Sequence, residues 1–160
     1  TLEFAGKSVW NKKESIPPET LERFKRLWEW YMELAGHNPQ EHQEGLSAFG
    51  WWFISGKFDD KWAIDNLSRV LDIAKEVEAA ERVIQGLAEF TEQMPLERVR
   101  CLRKIVEGKL KGWEILFAKD SIRHLLSQAL KSEDSEAAQE ARKLVSYLCS
   151  WGYTEFRELL

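Results

Sequence analysis

The chain has 160 residues, of which 44% are hydrophobic and 31% charged, and its formal net charge is -4. This length suits one domain with a hydrophobic core, and the slightly acidic balance argues against general binding to nucleic acids or anionic membranes. The sequence has neither an apolar stretch near the ~18 residues of a membrane span nor the basic-then-apolar start of a secretory signal. We therefore expect a cytoplasmic protein with no membrane partner.

The two cysteines, Cys101 and Cys149, are far apart in the sequence and have no CxxC pair or Cys/His cluster beside them. Each falls among the apolar positions of a predicted helix, which favours buried reduced thiols over a disulfide. The sequence starts at Thr1 and not at a methionine. We expect one all-helical domain over residues 1–160, cut from a larger protein, with an irregular N-terminal segment at residues 1–15.

Helical periodicity is strongest in the first third of the chain. Apolar residues recur there at spacings of three and four, which places them on one face of a helix. They are Leu21, Phe24, Leu27, Trp28, Tyr31 and Leu34. Pro18 suits the first turn of this helix and Gly36 suits its end.

A second predicted helix follows directly, because Asn38 can cap it and Pro39 fits its first turn. We expect this helix to continue without a break to about Ser55. Asp59 and Asp60 then favour another helix start, through capping and through their charge at the positive end of the helix dipole.

The same spacing predicts five helices in the rest of the chain. Their apolar residues lie at 62–74, 83–90, 99–106, 122–129 and 138–148. Pro95 begins the third of these helices, and Gly108 and Gly112 loosen the chain after it. The last helix is capped near Ser132 and ends at Gly152, and the tail at 153–160 is expected to add one or two turns.

The fold class predicted from these patterns is all-α, since no useful segment alternates apolar and polar residues as a half-buried strand would. Consecutive helices pair into units that begin near Pro18, Asp59, Pro95 and Ser132, a spacing of 36 to 41 residues. This spacing is typical of HEAT-like helical hairpins. We predict a short right-handed α-solenoid of such hairpins, with a compact multi-helix bundle as the alternative.

Candidate catalytic and metal-binding groups are few. His37, Glu41 and His42 superficially resemble an inverted zinc-protease motif, but three residues separate His37 from Glu41 where the motif has two, and Pro39 leaves His37 outside the helix. The carboxylate pairs at 59–60 and 133–134 are explained by helix starts. We therefore expect no enzymatic activity, no metal and no cofactor.

The densest aromatic run, Phe-Gly-Trp-Trp-Phe, occupies residues 49–53. Trp51, Trp52 and Phe53 are consecutive, so they spread over most of a helix circumference and cannot all face one core layer. One interpretation is a helix buried on several sides. The other is an exposed anchor for another protein, a setting in which Trp concentrates binding energy. These three residues are our candidate aromatic partner-binding site.

A basic stretch is the second feature with functional content, because residues 98–124 hold eight Lys or Arg against three Asp or Glu. The members that define a candidate basic ridge are Arg98, Arg100, Arg103, Lys104, Lys109 and Lys111. Positive charge near a helix C-terminus also complements the helix dipole, which is the structural explanation. The functional explanation is a surface for phosphates or for an acidic partner.

One set of residues resembles a known domain type. The set comprises Leu46, Ser47, Ala48, Phe49, Gly50, Trp51, Trp52, Phe53, Ser55, Gly56, Lys57, Phe58, Trp62, Tyr153, Glu155, Phe156, Arg157 and Leu159. Together they resemble an uncharacterised helical domain at the C-terminal end of large bacterial proteins, some of which carry a sirtuin-like domain. The resemblance implies a sensor or scaffold arm beside an effector domain, with a role in anti-phage defence among its implications, and it implies no functional residues.

Two functions follow as expectations. The first is a non-catalytic interaction module that contacts another protein or the remaining domains of its own chain, through the aromatic run and the basic ridge. The alternative is a helical-repeat nucleic-acid-binding domain that uses the ridge at 98–111, with an affinity that falls steeply as salt rises.

Overall fold

The computed structural model describes residues 1–12, 14–90, 93–110 and 112–160. Over these residues the chain forms ten α-helices, one 3₁₀ helix and no β-strand, so the predicted all-α class is confirmed. The chain divides into two compact units, Thr1–Ala80 (unit 1) and Glu81–Leu160 (unit 2). The choice between a solenoid of hairpins and a compact bundle stays a prediction.

Unit 1 has five α-helices within its described residues. They are α1 (Leu2–Asn11), α2 (Pro18–His37), α3 (Pro39–Ser47), α4 (Phe49–Ile54) and α5 (Asp60–Ala74). The predicted cap of α5 is confirmed, because the Asp59 carboxylate accepts a hydrogen bond from the backbone N–H of Trp62 at 2.9 Å. This bond satisfies one of the N–H groups left open at a helix start.

The interior of unit 1 is built from aromatic rings. Trp28 of α2 lies against two rings of α4, with centroid distances of 4.6 Å to Phe49 and 5.4 Å to Trp52. All three side chains are completely buried. Phe58, in the turn before α5, stacks on Trp52 at 5.9 Å and extends this cluster towards α5. Rings of this size fill the space between short helices with few side chains.

Residues 2–11, which we predicted to be irregular, form helix α1 instead. The Thr1 hydroxyl caps it by accepting a hydrogen bond from Phe4 N at 3.3 Å. Helix α1 packs on α4, and Trp52 Nε1 donates a hydrogen bond to Leu2 O at 3.0 Å. The sequence pattern missed this helix because only Gly6 and Val9 are buried in it, which is too small an apolar face to register as periodic.

The helix predicted to run unbroken from Pro39 to about Ser55 is divided at Ala48 into α3 and α4. At the break, Trp51 N bonds to Ala48 O at 3.1 Å, and Ser47 O accepts a hydrogen bond from Glu78 N at 2.9 Å. The expected Asn38 cap is also wrong, since its side chain makes no capping hydrogen bond. A long-range backbone contact therefore decides where the helix breaks.

Helix α6 begins at the boundary between the units, and four more α-helices and a 3₁₀ helix follow among the described residues of unit 2. They are α6 (Ala80–Ala88), α7 (Pro95–Glu107), α8 (Gly112–Phe117), α9 (Lys119–Leu130), α10 (Ser135–Ser150) and the 3₁₀ helix Thr154–Leu159. Asp134 caps α10 by accepting from Glu136 N and Ala137 N, which confirms a helix start at this carboxylate. Helix α8 was not predicted, whereas the short turn in the tail was.

Helices α7, α9 and α10 pack together around an aliphatic core, and Phe156 of the 3₁₀ helix is completely buried. Both cysteines are free thiols, as expected: Cys101 is buried and Cys149 is half-buried. Unit 2 thus depends on Leu, Ile, Val and Ala packing, in contrast to the aromatic interior of unit 1.

Candidate functional site

Two members of the aromatic run are unavailable to a partner. Trp52 is completely buried and Phe53 is 5% exposed. The expectation of an exposed anchor is therefore wrong for these two residues, since α1 packs on one side of α4 and α5 packs on another. Because neighbouring helices pack on more than one side of α4, aromatic side chains on different sides of this helix are buried.

The third member, Trp51, is half-buried and has partners on several sides. Its ring lies 5.4 Å from the ring of Trp10, and Lys7 Nζ lies over it at 4.8 Å. Its Nε1 donates a hydrogen bond to Glu78 Oε2 at 2.5 Å. Trp51 of α4 thus contacts both α1 and Glu78 and stabilises their packing within unit 1.

Arg98 does not lie on the predicted basic ridge. It is 4% exposed, and its guanidinium donates to Leu87 O at 2.8 Å, Gln93 O at 3.1 Å and Ala88 O at 3.3 Å. It also donates to Gln128 Oε1 on α9 at 2.8 Å. Leu87 and Ala88 end α6, whose last carbonyl groups have no partner within the helix. Arg98 is therefore an internal cap of α6.

Two further arginines of the ridge, exposed Arg100 and half-buried Arg103, pair with carboxylates. Arg100 pairs with Glu136, and Arg103 pairs with Glu140 at 2.6 Å and with Glu107 at 2.9 Å. The pairs with Glu136 and Glu140 connect α7 to α10, and the pair with Glu107 lies within α7. These pairs favour a structural role over phosphate binding, because a phosphate would have to displace the carboxylates.

The three lysines of the ridge are placed as follows. Lys104 is half-buried and Lys109 is exposed, whereas Lys111 lies outside the described residues. The structure therefore does not bring the six predicted residues together as one exposed surface. Neighbouring acidic side chains reduce the positive potential on which the nucleic-acid alternative depends.

The pair between Arg103 and Glu140 contributes pH-dependent stability. The hydrogen bond from Arg103, followed by the one from Lys143, lowers the pKa of Glu140 below its ordinary value. A carboxylate whose folded-state pKa is lowered stabilises the fold above its unfolded-state pKa and loses that effect as pH falls through the folded-state pKa. We expect Glu140→Gln to be less stable than wild type near neutral pH, with the difference disappearing in acid.

Urea unfolding at a series of pH values tests this expectation. The control is Glu133→Gln, because Glu133 is an exposed carboxylate in the turn before α10. A Glu140→Gln difference that stays constant from neutral to acidic pH would contradict the role of the ionised pair.

The histidine motif does not form a metal centre in the part of the chain that the structure describes, where no group of three or more His, Cys, Asp or Glu side chains is placed to hold a metal ion. His42 instead contacts Tyr31, with Nδ1 3.2 Å from the phenol oxygen. Burial raises the pKa of Tyr31.

Among the described helices, none has the length and apolar character to cross a membrane.

A cluster that the sequence reasoning missed lies on α8. Trp113, Leu116 and Phe117 are 52%, 60% and 74% exposed, and we call them the α8 patch. They lie at spacings of three and four, so one side of the helix presents all of them, while Ile115 is the residue that α8 buries. The rings of Trp113 and Phe117 meet edge to face at 5.8 Å. This spacing was visible in the sequence, but Gly108 and Gly112, which both precede Trp113, favoured a loop.

Comparisons of the chain with protein-family models, with curated proteins and with solved structures find no match. The resemblance to a C-terminal helical domain of large bacterial proteins stays an expectation. The candidate site therefore depends on exposure, chemistry and charge alone.

Two cations that follow the α8 patch in the chain are paired within unit 2. Lys119 Nζ lies 3.0 Å from Glu155 Oε1, and Arg123 Nη1 lies 3.5 Å from Glu158 Oε2. Both carboxylates belong to the 3₁₀ helix. These two cations are thus already paired with carboxylates, which makes them less suited to bind a polyanion.

Proposed function

We propose that the chain is a non-catalytic protein-interaction module that binds its partner through the α8 patch. The observation that carries the proposal is the exposure of three large apolar side chains, Trp113, Leu116 and Phe117, on one short helix. Contiguous exposed apolar surface rimmed by polar residues marks interaction sites in soluble proteins. A cluster that includes Trp also has the composition of an interface hot spot.

The shape of the patch supports binding to a groove. A helical turn with apolar residues at i, i+3 and i+4 is the pattern by which helices fit into hydrophobic grooves of partner proteins. Each large side chain contributes roughly 1.5–3 kcal/mol when it passes from full exposure to full burial. We expect removal of Trp113 or Phe117 to weaken binding about tenfold or more, since 1.4 kcal/mol corresponds to a factor of ten.

The proposed context comes from the family resemblance. The module would act as a sensor or scaffold arm of a larger bacterial protein, and its partner would be another protein or another domain of that larger protein. The resemblance supports this context, and the α8 patch supplies the surface that such an arm requires.

A comparative pull-down from cells of the source organism tests the proposal. The baits are the wild-type chain, a Trp113→Ser/Phe117→Ser double variant and a Trp151→Ser control, in nuclease-treated lysate at high salt. Trp151 is a suitable control because it is 69% exposed, lies in the same unit and is outside the α8 patch. Circular dichroism should give the same helix content for all three baits.

We expect one or more proteins to be captured by the wild type and by the Trp151→Ser control and to be lost with the double variant. If folded wild type and folded double variant capture the same proteins equally, the α8 patch is not the binding site. Retention of nucleic acid in untreated lysate, abolished by Arg100→Ala/Arg103→Ala, would replace the proposal by the nucleic-acid alternative.

A further inference from the structure

Helix α2 has apolar residues on two opposite sides. Trp28, Met32 and Ala35 face the interior of unit 1 and are buried. Leu27, Trp30 and Leu34 lie on the other side and are 41%, 58% and 40% exposed, and we call them the α2 stripe. Their spacings of three and four keep them on one face over two turns. A surface helix needs only one apolar face for folding, so the second face requires another explanation.

Two exposed charges of opposite sign accompany the α2 stripe. Arg26 and Glu33 are both exposed, and neither forms an ion pair within the part of the chain that the structure describes. They are seven residues apart, which is nearly two turns, so they lie on the same flank of the stripe.

The arrangement is nearly symmetric about Trp30. Leu27 lies three residues before Trp30 and Leu34 lies four after it, whereas Arg26 lies four before and Glu33 three after. A two-fold axis near Trp30, perpendicular to α2, would bring the same flanks of two antiparallel copies together. Each Leu27 would then face Leu34 of the second copy, and each Arg26 would face Glu33 of the second copy.

We propose that the α2 stripe is the docking surface for a second copy of this chain, with the two α2 helices antiparallel. Charge favours this direction, because a parallel pair would place the flank with Arg26 and Glu33 of one copy against the opposite flank of the other, where these charges would not face each other. The antiparallel register instead brings the same flanks together and forms two identical Arg–Glu pairs. The surface is distinct from the α8 patch and independent of its proposed role.

The expected dimer is weak. A standard interface buries about 800 Å² on each partner. Three partly exposed side chains and two charges cover only part of that area, so we expect a dissociation constant of about ten to fifty micromolar.

Sedimentation equilibrium over a wide concentration range tests the proposal. The wild-type mass should rise from monomer towards dimer as concentration increases. Arg26→Glu and Glu33→Arg should each weaken association at least about tenfold, because each creates two repulsive contacts in the dimer. Trp30→Ser should weaken it similarly through lost apolar contact. Arg157→Glu is the control, because it makes the same charge change as Arg26→Glu at an exposed residue of unit 2.

The decisive sample is an equimolar mixture of the Arg26→Glu and Glu33→Arg variants. In a mixed antiparallel pair both charge contacts become attractive again, so the mixture should recover a dimer that neither variant forms alone. A wild type that stays monomeric to about 0.5 mM, far above the expected dissociation constant, would overturn the proposal. So would single variants that dimerise like the wild type, or a mixture that stays monomeric.

Discussion

Replacing Gly50 with Ala is expected to destabilise unit 1 by about 2–4 kcal/mol. A Cβ atom at this position would lie 1.9 Å from the backbone oxygen of Glu78 and 2.9 Å from its carbonyl carbon. Backbone cannot rotate away as a flexible side chain can, so α4 and the segment around Glu78 must separate. The separation would weaken the hydrogen bond from Glu78 N to Ser47 O at 2.9 Å and the bond between Trp51 and Glu78.

Urea unfolding followed by tryptophan fluorescence measures this effect. Trp28 and Trp52, the completely buried tryptophans, both belong to unit 1, whereas Trp113 and Trp151 of unit 2 are exposed, so the fluorescence change reports mainly on unit 1. Separate transitions for the two units would be fitted individually, because one unfolding free energy describes only a two-state transition.

The matched control for the first prediction is Gly36→Ala. Gly36 lies in α2, and a Cβ there would meet nothing within 4 Å. Alanine is favoured over glycine in helices by up to about 1 kcal/mol, so this variant should be as stable as wild type or more stable. Equal stability of Gly50→Ala and wild type would show that α4 and Glu78 do not approach as closely as described.

Replacing Arg98 with Ala is expected to destabilise unit 2 by about 3 kcal/mol or more. The substitution removes the donor to three backbone carbonyl groups, at Leu87, Ala88 and Gln93, and to the side chain of Gln128. The bond to Leu87 O is buried, and a buried acceptor left without a donor destabilises the fold by roughly 1–3 kcal/mol. The three part-buried bonds are lost as well, and the missing side chain leaves a cavity. The end of α6 should detach from α7 and α9.

Far-UV circular dichroism during urea or thermal unfolding measures the loss, with Arg100→Ala as the control. Arg100 lies on the same helix but is exposed, and its single pair with Glu136 should contribute less than about 1 kcal/mol. The loss of stability in Arg98→Lys should fall between those of Arg98→Ala and Arg100→Ala, because one ammonium group cannot donate to all the acceptors that the guanidinium group reaches. If Arg98→Ala and Arg100→Ala have the same effect, Arg98 is not the internal cap of α6.

Together these predictions separate stabilising contacts from surfaces that are open to partners. Trp52 and Arg98 are buried, so their replacement should affect stability. The residues of the α8 patch and the α2 stripe should affect association with little change in helix content, because their side chains are exposed.

The sequence by itself determined the all-α class and the position of most helices. Helical periodicity and capping are local properties, since they depend on residues three or four positions apart and on the hydrogen bonds of the first turn. Helix α2 and the starts of α5 and α10 at Asp59 and Asp134 were therefore predictable.

Only the tertiary structure decided which faces are buried. The spacing of Leu27, Trp30 and Leu34 is the same kind of pattern as that of Trp28, Met32 and Ala35, yet the first set is exposed and the second buried. Likewise, the sequence does not distinguish Arg98 from Arg100 on α7, although Arg100 is exposed to solvent and Arg98 donates to the end of α6. Burial and hydrogen bonding depend on neighbours distant in the chain, and local spacing carries no information about them.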